Sequence, residues 1–327
     1  MKAASVTSVV AVAAICFTSR DALDYSEAAE SAIDAMNQFY YDEDQGRWSP
    51  DVAWWLSGFA LQDILDFMHK TGSRKYLRQA RHIIDLQKAV LPWWPQGEGN
   101  FRADSTDDMG WWALTLLGIH PPHVLQKRHI QPALHALHRL LANRIPDDKS
   151  YLSKALATWD WLHASGMLNP SHLFNDGLAK TNGGICYNNK LPTWTYNQGV
   201  ILGALTELFQ ATKNHTYLTT ATAIASAVLS SPSLSPSSIL TEPCEWMDEG
   251  CNNDQEIFKG VFAKHLAALS AVLEGDPYRE YLEGNAKSAM AKAKGEGGLF
   301  DLEWKGPFRN GSLWRQGSVV GLFVGLI

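Results

Sequence analysis

An all-α fold built from repeated helical hairpins is predicted by three observations. Nearly every patterned stretch carries apolar residues at alternating three- and four-residue steps. No alternating apolar–polar run of five or more stands clear of those stretches. A turn ending in tyrosine recurs roughly every 60–75 residues, a spacing on which helical hairpins stack into solenoids or close into toroids.

The first helix is expected over Tyr25–Tyr40, apolar at Ala28, Ile33, Met36 and Phe39 or Tyr40. Ala53–Lys70 repeats Trp54, Gly58, Leu61, Leu65 and Met68 on one face, with Gly72 placed to cap its end. Arg74–Leu91 follows a short turn. Asp107–Leu117 is ended by Gly118 and Pro121-Pro122. Ile130–Arg144, Lys149–Gly166, Gly199–Thr212, His215–Ser230, Asp254–Leu273, Pro277–Lys294 and Ser312–Ile327 complete the set. The turns leading to Tyr76 and Tyr217 share their spacing, and Tyr151 and Tyr278 follow similar turns. A tyrosine plugged between antiparallel helices is one way to close such a hairpin. The longer stretches Pro92–Thr106, Asn169–Tyr196, Ser231–Asn253 and Glu296–Gly311 alternate with these tight turns. That asymmetry predicts short turns at one end of the bundle and long loops, where sites concentrate, at the other.

The chain has 327 residues and a net charge of −6 with no basic block, so no nucleic-acid partner is expected. Met1-Lys2 and the apolar run Ala3–Phe17 read as a secretory leader over residues 1–20, too short to span a bilayer. Residues 21–327 then form a single domain, expected to be a secreted or cell-wall-associated monomer without a transmembrane span. Three cysteines follow the leader, so at least one is unpaired within the chain. Cys244 and Cys251 are spaced to staple a loop. Asn214-His215-Thr216 and Asn310-Gly311-Ser312 are glycosylation acceptors. Glu242, Glu245, Asp248, Glu249 and Asp254 read as a solvated acidic loop without a calcium-binding pattern. His135 and His138 read as surface or core residues. No metal site and no cofactor motif are predicted.

Thirteen tryptophans exceed what a core of this size needs, and some are expected to line a carbohydrate cleft. Asp107-Asp108 stands directly before the pair Trp111-Trp112. Paired carboxylates carry acid/base and nucleophilic work on glycosidic bonds. A junction just before a helix could aim both at one sugar. Ser105 with Asp108 also fits a capping box, which leaves a purely structural role open. Trp194-Thr195-Tyr196-Asn197-Gln198-Gly199 offers donors and acceptors for sugar hydroxyls, or a helix start with buried aromatics.

The stretch Asp107-Asp108-Met109-Gly110-Trp111-Trp112-Ala113-Leu114, together with Tyr151–Met167, Asn175-Asp176-Gly177-Leu178, Trp194–Leu205 and Glu242-Pro243-Cys244 with Cys251, resembles glycoside hydrolase family 76, the α-1,6-mannanases, and in particular its secreted fungal members. The resemblance implies an (α/α)6 toroid, no cofactor, and retaining, endo-acting hydrolysis or transglycosylation of α-1,6-mannan. It makes Asp107 the nucleophile and Asp108 the general acid/base. Trp111, Trp112 and Tyr196 would be stacking walls, with Asn197 and Gln198 holding hydroxyls. Similar proteins carry a further helix and a Trp-rich loop after the aspartate-bearing helix. Here Gly118-Ile119-His120-Pro121-Pro122-His123 runs directly toward Gln131–Arg144, so the toroid is expected to be incomplete by part of one hairpin. Two rival expectations follow: a catalytically inactive mannan-binding or wall-associated relative, and another (α/α)6 carbohydrate enzyme of different linkage.

Overall fold

The computed structural model describes residues 23–48, 53–89, 101, 106–119 and 149–327. The leader, the helix expected over Ile130–Arg144 and most of the stretch on which the shortened hairpin is expected lie outside the described residues.

Ten α-helices occur among the described residues: α1 (Tyr25–Tyr40), α2 (Trp54–Thr71), α3 (Leu77–Gln87), α4 (Thr106–Ile119), α5 (Lys149–Ala164), α6 (Thr195–Thr212), α7 (Thr216–Ser230), α8 (Phe258–Val272), α9 (Arg279–Ser288) and α10 (Leu313–Leu326). The even-numbered helices pack side by side in the order α4, α2, α10, α8, α6. They run parallel. Trp55 near the start of α2 meets Trp314 near the start of α10, while Lys70 near the end of α2 meets Val324 near the end of α10. Gly260 permits a close backbone approach in this layer: a Cβ there would lie 2.5 Å from Ser318 Cα. The odd-numbered helices return outside, with α1 against α10, α3 against α2, α7 against α6, and α9 against α10 and α8.

Local chemistry sets the ends. Asp24 caps α1 by accepting from the amides of Ser26 and Glu27, and Ser312 caps α10 by accepting from Arg315 N. Gly72 ends α2 at φ 72°, a conformation without steric cost for glycine. Tyr76 is buried, packs against Phe67 and donates to Asp34 Oδ1 at 2.8 Å. Tyr278 is buried at the equivalent turn, and Tyr217 is half-buried. The short turns therefore gather where the inner helices end, and the long loops gather where they begin.

Two small antiparallel hairpins depart from the all-helical expectation. β1 (Tyr41–Asp42) pairs with β2 (Arg47–Trp48), and β3 (Leu178–Lys180) with β4 (Cys186–Asn188). Strands of two and three residues are too short for alternation to show in sequence. The helix expected from Gly199 starts four residues earlier, at Thr195. The one expected over Pro277–Lys294 is α9 followed by a π-turn over Ala289–Ala293. Cys244 and Cys251 form a disulfide, while Cys186 is free and exposed. The acidic loop is not uniformly solvated: Glu242 is fully buried, and the Glu245 side chain is 1 % exposed against Lys259. Both sequon asparagines, Asn214 and Asn310, are exposed.

Candidate active site

The first turns of the inner helices share a register that positions the site. The fourth and fifth residues of α2, α4, α6 and α10 are Ser57-Gly58, Met109-Gly110, Gln198-Gly199 and Gln316-Gly317. In three of these helices the fourth residue anchors the chain that leads into the helix. Ser57 Oγ accepts from Trp48 N at 3.1 Å. Gln198 accepts from Phe174 N and donates to Phe174 O, both at 2.8 Å. Gln316 accepts from Phe300 N at 3.0 Å and donates to Ala32 O at 2.9 Å. Phe174 and Phe300 each close a β-bridge back onto the start of their loop. Gln198 is fully buried in this work, so the expectation that it holds a sugar hydroxyl is corrected to a loop anchor.

The second residues in that register are Trp55, Asp107, Tyr196 and Trp314. They occupy one position on four parallel helices at the loop end. Trp55 stacks on Trp111 with ring centroids 5.5 Å apart and meets Trp314 at 5.4 Å. Phe59 presents its edge to Trp111 at 5.8 Å. Tyr196 lies 4.2 Å from the Phe258 ring at the start of α8. Trp111 is half-buried and belongs to this aromatic wall.

Trp112 does not. It is fully buried, stacks on Trp54 at 5.1 Å and donates its indole N–H to Trp54 O at 3.2 Å. Its ring lies 3.1 Å from where a Gly58 Cβ would be, and Thr115 Oγ1 donates to Gly58 O at 2.6 Å beside it. The stacking-wall expectation for Trp112 is therefore corrected to a core role. Both rings meet α2, Trp111 through Trp55 and Phe59 and Trp112 through Trp54 and Gly58, but only Trp111 keeps partial exposure. The broader expectation of a tryptophan-lined cleft narrows in the same way: among the described tryptophans Trp161 and Trp246 are exposed, Trp111 is half-buried, and the others are core.

Asp107 and Asp108 lie inside the first turn of α4, not at a junction before it. Consecutive helical residues are set about 100° apart around the axis. Position 107 shares a face with Trp111 and position 108 with Trp112, each four residues on. Asp108 is half-buried. The first turn of a helix favours negative charge, because its amides are unpaired and the peptide dipoles align there. Asn197 is half-buried, and its Nδ2 is enclosed with no hydrogen-bond partner among the described residues. A donor in that condition costs roughly 1–3 kcal/mol, so packing does not account for it.

A buried bracket holds the start of α6 in place. Glu242 accepts from Thr195 N at 3.3 Å and from Thr195 Oγ1, and its own N–H donates to Glu245 Oε1 at 2.9 Å. Glu245 in turn binds Lys259 Nζ at 2.6 Å. Burial raises Glu242 to about 8, against the Thr195 hydrogen bonds and the Lys259 charge that lower it. The bracket was hidden in sequence, because a carboxylate beside a disulfide reads as exposed. The helix-start register could have been found: a serine or glutamine followed by glycine recurs at the head of three apolar helices, and Met109-Gly110 keeps the glycine in a fourth. Among the described residues no group of histidine, cysteine and carboxylate side chains could hold a metal ion.

The sequence pattern of Glycosyl hydrolase family 76 matches residues 132–321, a span that begins after Asp107-Asp108. The mannan endo-1,6-alpha-mannosidase DCW1 of Candida albicans is 28% identical over 181 residues, covering 53% of this chain and 38% of the relative. DFG5 of Saccharomyces cerevisiae, a mannan endo-1,6-alpha-mannosidase, is 28% identical over 171 residues, covering 50% of this chain and 36% of that protein. The chain thus spans under four-tenths of the length of these two relatives. The GH76A alpha-1,6-mannanase of Salegentibacter sp. HEL1_6 superposes with a TM-score of 0.78 at 20% identity, over 93% of this chain and 99% of that one. An inactive variant of that mannanase, with two consecutive aspartates replaced, has been solved with alpha-1,6-mannotetrose at a TM-score of 0.79, 20% identity and the same coverage. These likenesses show the fold, an α/α toroid.

Proposed function

Because the chain belongs to glycosyl hydrolase family 76, we propose that it cleaves, or transfers, internal α-1,6-mannosidic bonds, with Asp107 and Asp108 as the reacting pair. The observation that carries this reading is the register of the inner helices. It puts consecutive aspartates in the first turn of α4, with Asp107 at the helix position that the buried Trp55 and Trp314 and the half-buried Tyr196 occupy in α2, α10 and α6. The Salegentibacter mannanase carrying replacements of two consecutive aspartates is inactive yet seen with its oligosaccharide, which supports the same division between binding and chemistry.

In the proposed retaining route the Asp107 carboxylate attacks the anomeric carbon as the glycosidic C–O bond breaks. Asp108 gives its proton to the departing oxygen. Asp108 then takes a proton from water, or from a sugar hydroxyl in transfer, and the new oxygen displaces Asp107. Retention calls for carboxyls roughly 5–5.5 Å apart. Tyr196 and Trp111 supply faces for sugar rings, and Asn197 supplies a donor to a hydroxyl. The leader sequence, the disulfide and the two exposed sequons support a secreted or wall-associated protein.

Incubation with linear α-1,6-mannooligosaccharides tests the reading. Wild type should yield shortened or elongated products, and Asp107→Ala should reduce the rate by about 10²–10⁴-fold. Equal rates in the two proteins would remove Asp107 from the mechanism. Wild-type binding without turnover would instead place the chain with inactive mannan-binding relatives.

A further inference from the structure

A cavity lies on the outer side of the loop end, between the disulfide loop and α9. Its volume is about 620 Å³, within the range of small-molecule sites. Three lysines line it, Lys287, Lys292 and Lys305, and no carboxylate does. Glu283 pairs with Lys287 at 3.4 Å and Glu303 with Lys305 at 3.3 Å. The two carboxylates offset two of the three ammonium groups, which leaves Lys292 as the cation without an ion-pair partner among the described residues.

The wall between these lysines is aromatic. Trp246 is 56 % exposed although its loop is stapled by Cys244–Cys251 and its neighbours Cys244 and Glu242 are buried. The disulfide holds the loop that carries this exposed ring beside the lysines. Its N–H donates to Ser233 O at 3.4 Å, and Lys305 Nζ stands 4.3 Å above the ring. Ile239 extends the apolar floor. An indole face suits the C–H face of a pyranose, and ammonium groups around its rim suit an anionic substituent on that sugar.

We propose that this cavity is a binding site for an anionic sugar, specifically a hexose bearing phosphate, separate from the candidate active site. The ring stacks on Trp246 and the phosphate is held among Lys287, Lys292 and Lys305. Nothing in this assignment depends on the chain being an active hydrolase, since binding is read directly.

The test is ligand-observed NMR on the whole protein at low ionic strength, with glucose 6-phosphate, glucose and inorganic phosphate as probes. Glucose in place of mannose keeps the mannan cleft out of the readout. Glucose 6-phosphate should bind more tightly than either other probe, and salt should weaken it. Trp246→Ala should lower its affinity by about 10-fold and Trp246→Phe by less, given the roughly 0.5–1.5 kcal/mol of a ring stack. Lys292→Glu should lower it as well. Saturating α-1,6-mannotriose should leave the signal unchanged. Equal binding of glucose and glucose 6-phosphate would overturn the proposal. So would phosphate matching glucose 6-phosphate with no effect of Trp246→Ala, or displacement by mannotriose. Unchanged melting temperatures in the Trp246 and Lys292 variants, both at exposed positions, keep these outcomes readable.

Discussion

At the turn end of the helical ring, cations meet carbonyls. Lys70 Nζ donates to Val324 O at 2.8 Å and to Gly325 O, and Arg279 donates to Leu326 O, all in the last turn of α10. At the loop end, carboxylates meet amides. Glu242 accepts from the first amide of α6, and Asp107 and Asp108 sit in the first turn of α4. The inner helices are parallel, so their unpaired carbonyls collect at one end and their unpaired amides at the other. One end attracts lysine and arginine, and the other gathers amide donors, although burial outweighs them at Glu242 and raises its carboxyl. Lys259 breaks the pattern, lying buried near the start of α8, and it does so with Glu245 at 2.6 Å and the Trp304 ring 5.0 Å away. Asp63, midway along α2, is buried away from either end, and burial raises it to about 6 despite its bridge to Lys264 at 2.8 Å.

Removing the exception at the loop end should have the largest effect on stability. Lys259→Met leaves Glu245 buried without its cation, and breaking such a pair costs about 3–5 kcal/mol. Urea denaturation at neutral pH measures it, and a loss under 1 kcal/mol would mean that the bracket is replaceable. Glu242→Gln sharpens the comparison through pH. Glu242 is raised when folded, so the folded state holds its proton where the unfolded chain has lost it. Its contribution is fully present below about pH 4.5 and is lost as pH rises toward about 8. The slope has an upper bound of about 1.4 kcal/mol per pH unit. Melting curves of Glu242→Gln between these limits should be flatter than those of wild type. An identical slope would show that the carboxyl is not the titrating group. The smallest effect belongs to the ordinary member of the turn end. Lys70→Met removes one cation from the α10 carbonyls and should cost about 0.5–1.5 kcal/mol, read from the same urea curves. A cost equal to that of Lys259→Met would erase the distinction between a cation that fits its helix end and one that needs a partner.

The helical hairpins were legible because their period is local: α1 spans the predicted Tyr25–Tyr40 residue for residue. The alternation of short turns and long loops was legible too, since glycine and tyrosine mark those turns. Trp111 and Trp112 were indistinguishable, because they are adjacent and chemically identical. Their fates diverge because one is turned toward Trp55 and the other onto Trp54 and Gly58. Gln198 looked like a sugar-binding amide. Only the return of Phe174 to the head of α6 shows that its hydrogen bonds are already used.

Sequence by itself determined the hairpins and the Cys244–Cys251 staple, and it singled out the loop end and the aspartate pair as the candidates for chemistry. These follow from patterns within a few residues of one another, where backbone geometry leaves little choice. Tertiary structure decided which of the paired tryptophans keeps partial exposure and which is core, that Glu242 and Glu245 are buried, and that Trp246 stands out among lysines. Those are properties of neighbours far apart in the chain. Burial, more than residue type, sets whether a ring or a carboxyl is free to meet a ligand.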